Sequence, residues 1–261
     1  MDCLEELNAA FGTWLKSDTP QAKWLAGMTR KFRRQELLCF VFGGTLRDLA
    51  LGREPRDLDL VADEIMWPEI KKLMEPYVER ENRFGGLKLR VPEVGEVDIW
   101  PVPSTYGFSS GQVGIKSPLR MPMTVNFNIE AAILECTEVN GGRLGSENRF
   151  FEGLKSRTID FIIPPIIPDR LLTAARAGVM AEKLKFTLSP RLAQWCRGVA
   201  DERGWAAIGE TGAHHYRDKS PEEIVSTLQR QVGRPLPEVP HLRGKLPSPY
   251  TVAGVVESKT R

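Results

Sequence analysis

The chain has 261 residues, of which 41% are hydrophobic and 27% charged, with a formal net charge of +2. That balance is ordinary for a soluble chain that buries a core, and it excludes the sparse, highly charged composition of a chain that stays unfolded. Total charge points neither toward nor away from a polyanionic partner, no stretch is long and apolar enough to span a bilayer, and the length suits one large domain or two small ones.

The opening "MDCLEELNAAFGTWLK" carries acids where a signal or transit peptide carries bases. Leu4, Leu7, Phe11, Trp14 and Leu15 recur at helical spacing, so an amphipathic helix is expected there. Pro20 opens a second helix over 20–34, ending in "RKFRR", four cations in five residues, read as a solvated helix face. "LLCFVF" (37–42) reads as a buried strand running into Gly43-Gly44, and "TLRDLALG" as a helix closed by Gly52. "DLDLV" (57–61) alternates with period two and gives the next strand, after which Pro68 opens a helix running toward Glu79. "RFGGLKLRV" and "EVDIWPV" flank "PEVG" as a hairpin. Residues 103–122, rich in Gly, Ser and Pro, read as a loop, and "NIEAAILECTEVNGGRL" as a short helix or strand with a turn at Asn140-Gly141-Gly142.

After "FIIPPIIP" the pattern becomes helical: 169–184, then 190–203 capped by Ser189, then 221–232 capped by Ser220. The tail from Gly233 holds five prolines and is expected to lack regular structure. The order predicts an α/β (α+β) fold, a mixed sheet flanked by helices and followed by a helical neck. The expected divisions are N-terminal helices over 1–35, the sheet-bearing head over 36–167, the neck over 168–232 and the Pro-rich tail over 233–261. Cys3, Cys39, Cys136 and Cys196 are scattered, without zinc-knuckle or redox spacing, which fits reduced thiols in a cytoplasmic setting.

Residues two apart on a strand share a face, so Asp57 and Asp59 point together while Leu58 and Leu60 face the core. Adjacent carboxylates repel, and a divalent cation removes the conflict; magnesium takes a few carboxylate oxygens plus substrate phosphates. In "EVDIW" the same parity sets Asp98 opposite Val97 and Ile99, on a strand able to neighbour the first. Three acids on adjoining strands hold one or two metal ions for in-line phosphoryl transfer. The competing reading is an exposed polar strand face, a place where Asp has poor β-propensity. Gly43-Gly44, between a strand and a helix carrying Arg47, lets backbone amides approach an anion, although no Walker or dinucleotide spacing is present.

This ordered set, Gly43-Gly44, Arg47-Asp48, Gly52, then Asp57-Leu58-Asp59, resembles the head of the tRNA nucleotidyltransferase/poly(A) polymerase family in the DNA polymerase β superfamily. "NFNIEAAILE" (126–135) is similar to that family's Asp-Phe-Thr-Ile-Asn-Ala segment, and "AARAGVMAEKLKFTLSP" (174–190) to its neck helix, which commonly ends Lys-Leu-Gly-Phe. The resemblance implies a nucleotidyltransferase head in which Asp57, Asp59 and Asp98 bind Mg2+ or Mn2+ and carry catalysis. Gly43, Gly44 and Arg47 would bind the triphosphate of an NTP substrate, with Arg176 and Arg170 contacting the nucleotide from the neck. It further implies template-independent addition to an RNA 3′ end. An RNA acceptor needs phosphate-binding cations leading to the acids, for which Arg170, Arg176, Lys183 and Lys185, with the 30–34 run, are the candidates; the competing reading of these cations is a solvated helix face. The pattern departs in places: Thr124 and Val125 stand where the family has arginines, Asn126, Asn128 and Glu130 where it has Asp, Thr and Asn, and Thr173 where a second neck arginine is usual.

Other chemistries fit less well. "GFSSG" (107–111) has the Gly-x-Ser-x-Gly pattern of a nucleophile elbow, but Gly114 and Pro118 break the helix an elbow needs, so a loop over the cleft is expected. Adjacent His214 and His215 diverge and read as a solvated turn. A small-molecule or protein hydroxyl is the alternative acceptor, since the head alone does not define it, and a dormant RNA-binding relative is the remaining alternative.

Overall fold

Leu7, Phe11 and Trp14 recur every three to four residues along α1 (Leu4–Trp14), and that face is buried. In α2 (Pro20–Arg34) Thr19 accepts from the Ala22 amide as the cap, and Leu25, Met28 and Phe32 form the buried stripe. Arg30, Lys31, Arg33 and Arg34 stay in solvent, so the basic run is the exposed face its pattern predicts. The structure, a computed structural model, describes residues 4–137, 144–146, 149–163 and 165–233. The expected turn at Asn140–Gly142 and the Pro-rich tail beyond Gly233 lie outside the described residues. Among those described, no helix is long and apolar enough to cross a membrane.

The strands are β1 (Cys39–Phe42), β2 (Leu58–Ala62), β3 (Val78–Glu81), β4 (Leu87–Val91), β5 (Gly95–Pro101), β6 (Ala132–Glu135) and β7 (Leu144–Ser146). They form one mixed sheet in the order β3-β4-β5-β2-β1-β6-β7. Neighbours run antiparallel except β2 and β5, whose parallel pairing needs the long crossover through α4 (Trp67–Met74), β3 and β4. Alternation then assigns the two faces. Cys39, Val41, Leu58, Leu60, Leu87, Leu89, Val97 and Ile99 join the larger core with α1, α2, α4 and α3 (Gly44–Ala50). Phe40, Phe42, Val61 and Ile133 face the other way and are covered by Val102, Phe108 and Met121.

Phe108 and Met121 of that cover come from the segment 103–122, expected as a loop. Within it lies α5 (Tyr106–Ser109), and 3-10 turns at Val102–Ser104 and Pro118–Thr124 bound it, so the loop is an ordered one held by its apolar residues. The helix expected to reach Glu79 stops at Met74. Pro76 has no amide to continue it, so a 3-10 turn leads into β3, an exposed edge strand carrying Glu79, Arg80 and Glu81.

The remaining elements are α6 (Arg149–Ser156), β8 (Thr158–Ile159), α7 (Arg170–Leu184), β9 (Thr187–Leu188), α8 (Pro190–Arg203), α9 (Trp205–His215) and α10 (Pro221–Val232). Ser189 and Ser220 cap α8 and α10, the latter in a full capping box. Neither α6 nor α9 is anticipated by the sequence pattern. In α9 two glycines blur the apolar period because they are themselves contacts: a Cβ on Gly212 would lie 2.9 Å from the Ala175 Cβ. Helix α7 presents small residues on several sides, and a Cβ on Gly178 would lie 3.0 Å from the Leu228 Cα of α10.

Three polar ties join the sheet to these helices. β8 pairs in parallel with β9, and Asp160 receives Ser189 Oγ at 2.7 Å and Arg191 Nη2 at 2.8 Å. Asn126 Nδ2 donates to Thr173 Oγ1 of α7 at 2.9 Å, with both residues buried. The tie by Asn128 is tight: its amide group serves Asp160 and Thr158, and a Cβ on Gly153 would fall 2.2 Å from its Nδ2.

Candidate active site

At the end of β1 the chain turns through Gly43 at φ +65° and ψ −122°, a conformation that favours glycine, and enters α3. Thr45, in the first turn of α3, has a buried hydroxyl that donates to the Asp57 carbonyl at 3.1 Å and accepts from the Asp59 amide at 3.3 Å. One side chain thereby fixes where β2 begins relative to the glycine turn. The pleat sends Leu58 and Leu60 into the core and Asp59 to the opposite face. Parallel register with β5 sets Asp59 directly beside Asp98, and antiparallel register with β4 sets Asp98 beside Lys88.

The acids differ in their company. Asp57 stands one residue before β2, is exposed, and is held by Arg56, with Nε at 2.7 Å and Nη2 at 2.5 Å from its Oδ2. Asp98 lies 3.6 Å from Lys88 Nζ, which also bonds Glu96 at 2.7 Å. Asp59 is half-buried, and among the described residues none bonds or ion-pairs its carboxylate. Burial, then Asp98, Glu130 and Asp57, push the Asp59 carboxyl up to about 7, against the attraction of Arg47. Asp98 is raised by burial too, with Lys88 opposing.

These acids open onto a cleft of about 790 Å³ between the sheet and helices α7 and α9. Its cationic wall includes Arg47, Arg176, Lys183 and Lys219. Glu130 stands inside it, 3.0 Å from Arg176 Nη2 and 3.9 Å from Arg47 Nη1. His215 and Tyr216, T-stacked at 4.8 Å, close the α9 side, and Tyr216 neighbours Arg176.

The donor set suits a hard cation. It consists of carboxylate oxygens, and among the described residues Asp59 lacks a partner while its neighbours raise its pKa. Among the described residues no group of three His, Cys, Asp or Glu side chains is arranged to hold a metal ion unaided. Magnesium bound with a nucleotide needs only one or two carboxylates, the remaining positions being phosphate and water. Asp59 with Asp57 or Asp98 provides that number.

The residues singled out from the sequence divide accordingly. Gly44, Arg47, Asp57, Asp59, Asp98 and Arg176 all line the cleft, with Gly43 at its turn. Arg47 is 8% exposed and gives Nε and Nη2 to Asp48 Oδ1, each at 2.8 Å, with its guanidinium folded over Gly44. Arg170 is a correction: it points to α8 and pairs with Glu202 at 2.7 Å, and it does not line the cleft. Its place as the first residue of α7 turns it away, while Thr173, one turn on, is sealed against Asn126. Lys185 lies just past α7 in the left-handed region at φ 58°. Sequence reasoning missed Glu130 and Tyr216 as cleft residues and read His215, which ends α9, as part of a solvated turn. Glu130 is visible as a substitution in the 126–135 segment, whereas His215 and Tyr216 required knowing that α9 exists.

No protein-family model matches the chain, and no curated protein matches it. Solved structures do. A tRNA nucleotidyltransferase complexed with a primer tRNA and an incoming ATP analog superposes with TM-score 0.58 at 20% identity, over 78% of this chain and 60% of that one. A CCA-adding enzyme in complex with CTP gives TM-score 0.64 at 16% identity, over 88% and 54%. The Thermotoga maritima CCA-adding enzyme complexed with tRNA gives 0.62 at 14%, again over 88% and 54%. The chain therefore spans a little over half the length of these structures, and at such identities what it shares with them is the fold: a mixed α/β sheet flanked by helices, similar to the head of CCA-adding enzymes.

Proposed function

We propose that the chain is a magnesium-dependent, template-independent nucleotidyltransferase that moves a nucleoside monophosphate from an NTP to the 3′ hydroxyl of an RNA. The observation that carries this reading is the Asp59 carboxylate, unpartnered among the described residues and in register with Asp98, in a cleft walled by arginine and lysine. The fold likeness to structures holding tRNA, CTP and an ATP analog supports it. So does the order of the glycine turn, Arg47 and the acids along the chain.

Magnesium, held by Asp59 with Asp57 or Asp98, would neutralise phosphate charge; manganese has the same ligand preferences. The protein's own groups do the rest. Arg47 and Arg176 bind triphosphate and nucleotide, and Lys183, two helical turns beyond Arg176 on the same face, extends the cationic wall. Tyr216 borders the space left for the base. Asp98, its proton affinity raised by burial, accepts the proton of the attacking hydroxyl. A new bond forms from that oxygen to the α-phosphorus, the bond to the bridging oxygen breaks, and pyrophosphate leaves.

The test is incubation with α-labelled NTPs and magnesium against a panel of RNAs, proteins and small alcohols. Label in RNA, abolished by Asp59→Asn, is the expected result. Label only in a protein or small alcohol would replace the acceptor, and no label anywhere would end the transferase reading.

A further inference from the structure

Asp59 and Asp98 line two cavities. Besides the cationic cleft, a second groove of about 430 Å³ opens on their other side, between the β3–β4 turn and α5. Among the described residues its lining has no arginine, lysine or histidine, so a triphosphate would meet carboxylates there without counter-charge. It is aromatic instead. Among the described residues, the aromatic side chains standing out as exposed large hydrophobics are Phe84, at 48%, and Tyr106, at 40%, and both line this groove with Trp100 behind them.

Both rings line one groove and are held on fixed supports. The turn carrying Phe84 is tied by Asn82, whose Oδ1 accepts from the Phe84 amide at 2.9 Å and the Gly86 amide at 3.1 Å. Gly86 permits the approach, since a Cβ there would lie 2.9 Å from the Trp100 Cβ. Trp100 Nε1 donates to Thr105 Oγ1 at 2.9 Å, next to Tyr106. Arg83 places its guanidinium 4.7 Å from the centre of the Phe84 ring, a cation at the rim.

We infer that this groove receives the 3′-terminal nucleotide of a single-stranded RNA acceptor, its base against Phe84 and Tyr106 and its terminal hydroxyl toward Asp98. The inference rests on the transferase reading and adds the acceptor's place to it. Stacking on aromatic rings tolerates any base, as expected of a site that holds an end rather than reads a sequence, and Arg83 lies where a neighbouring phosphate would pass. Two substrates would thus meet across the acid pair, the NTP from the cationic side and the acceptor from the aromatic side.

The test uses a 5′-fluorescein hexa-adenylate and its binding measured by anisotropy with the whole chain. Phe84→Ser and Tyr106→Ser, both at exposed positions, should each weaken binding about tenfold while leaving the melting temperature and the affinity for a non-hydrolysable ATP analogue with magnesium unchanged. Arg176→Ala should do the reverse, weakening the ATP analogue far more than the oligonucleotide. Unchanged hexa-adenylate affinity in both serine variants overturns the inference, as does wild-type protein that binds a tyrosine peptide there in preference to the oligonucleotide. If the variants lose the oligonucleotide but wild-type protein transfers no label from NTP to RNA, the groove stands as an RNA site and the transferase reading falls.

Discussion

Replacing Asp59 with asparagine should make the metal-free protein more stable at alkaline pH, although it removes the residue on which the proposed chemistry depends. Burial and three neighbouring acids hold the Asp59 carboxyl at about 7 instead of its ordinary 3.8. The folded chain therefore keeps a proton that the unfolded chain releases, and stability falls as pH rises from about 4 to about 7, with the full cost present above that. At 1.36 kcal/mol per pH unit the interval corresponds to about 4 kcal/mol, and water in the open cleft reduces this to roughly 2–4 kcal/mol. Asparagine keeps the shape and carries no charge. Urea unfolding in EDTA should show the variant about 2–4 kcal/mol more stable at pH 8 and little different near pH 4. Magnesium should narrow the gap at pH 8, because it binds the folded wild type. A variant that is less stable at pH 8, or a difference independent of pH, would refute the view that burial and the neighbouring acids outweigh Arg47 at Asp59.

Arg47→Ala leaves Asp48 buried without its partner, so urea unfolding should show a loss of about 3 kcal/mol together with weaker NTP binding; an unchanged midpoint would mean that the pair contributes nothing to the fold. Thr173→Val removes the acceptor for the buried Asn126 amide and should cost about 1–3 kcal/mol in the same assay. Lys185→Gly relieves a left-handed backbone at the end of α7 and should raise stability by up to about 1 kcal/mol, read as a higher thermal midpoint.

Local physics made parts of this protein legible in advance. The alternation of Leu58, Asp59 and Leu60, and of Val97, Asp98 and Ile99, assigns core and cleft faces by strand periodicity alone, and the β2–β5 register puts the two acids side by side. The serine caps at 189 and 220 announced two helices. What the sequence hid depends on distant partners. Helix α9 is stabilised by glycine contacts with α7 and α10, which leave no amphipathic stripe to read. Arg170 has the right spacing for the cleft but meets Glu202 instead, thirty-odd residues away in the chain. Asn126, Asn128 and Glu130, departures from the family pattern, each bond to distant residues: Asn126 to Thr173 and Glu130 to Arg176 on α7, and Asn128 to Asp160 beside β8. Their roles follow from packing that no local rule contains.

The most direct test of the account is a crystal of the protein grown with Mn2+ and a non-hydrolysable NTP, examined by anomalous scattering. The account predicts a manganese peak bonded to an Asp59 carboxylate oxygen and to the nucleotide phosphates, with the triphosphate between the Gly43-Gly44 turn and Arg47 and the base toward Arg176 and Tyr216. A nucleotide bound elsewhere, or phosphates in the cleft with no metal at Asp59, would contradict it.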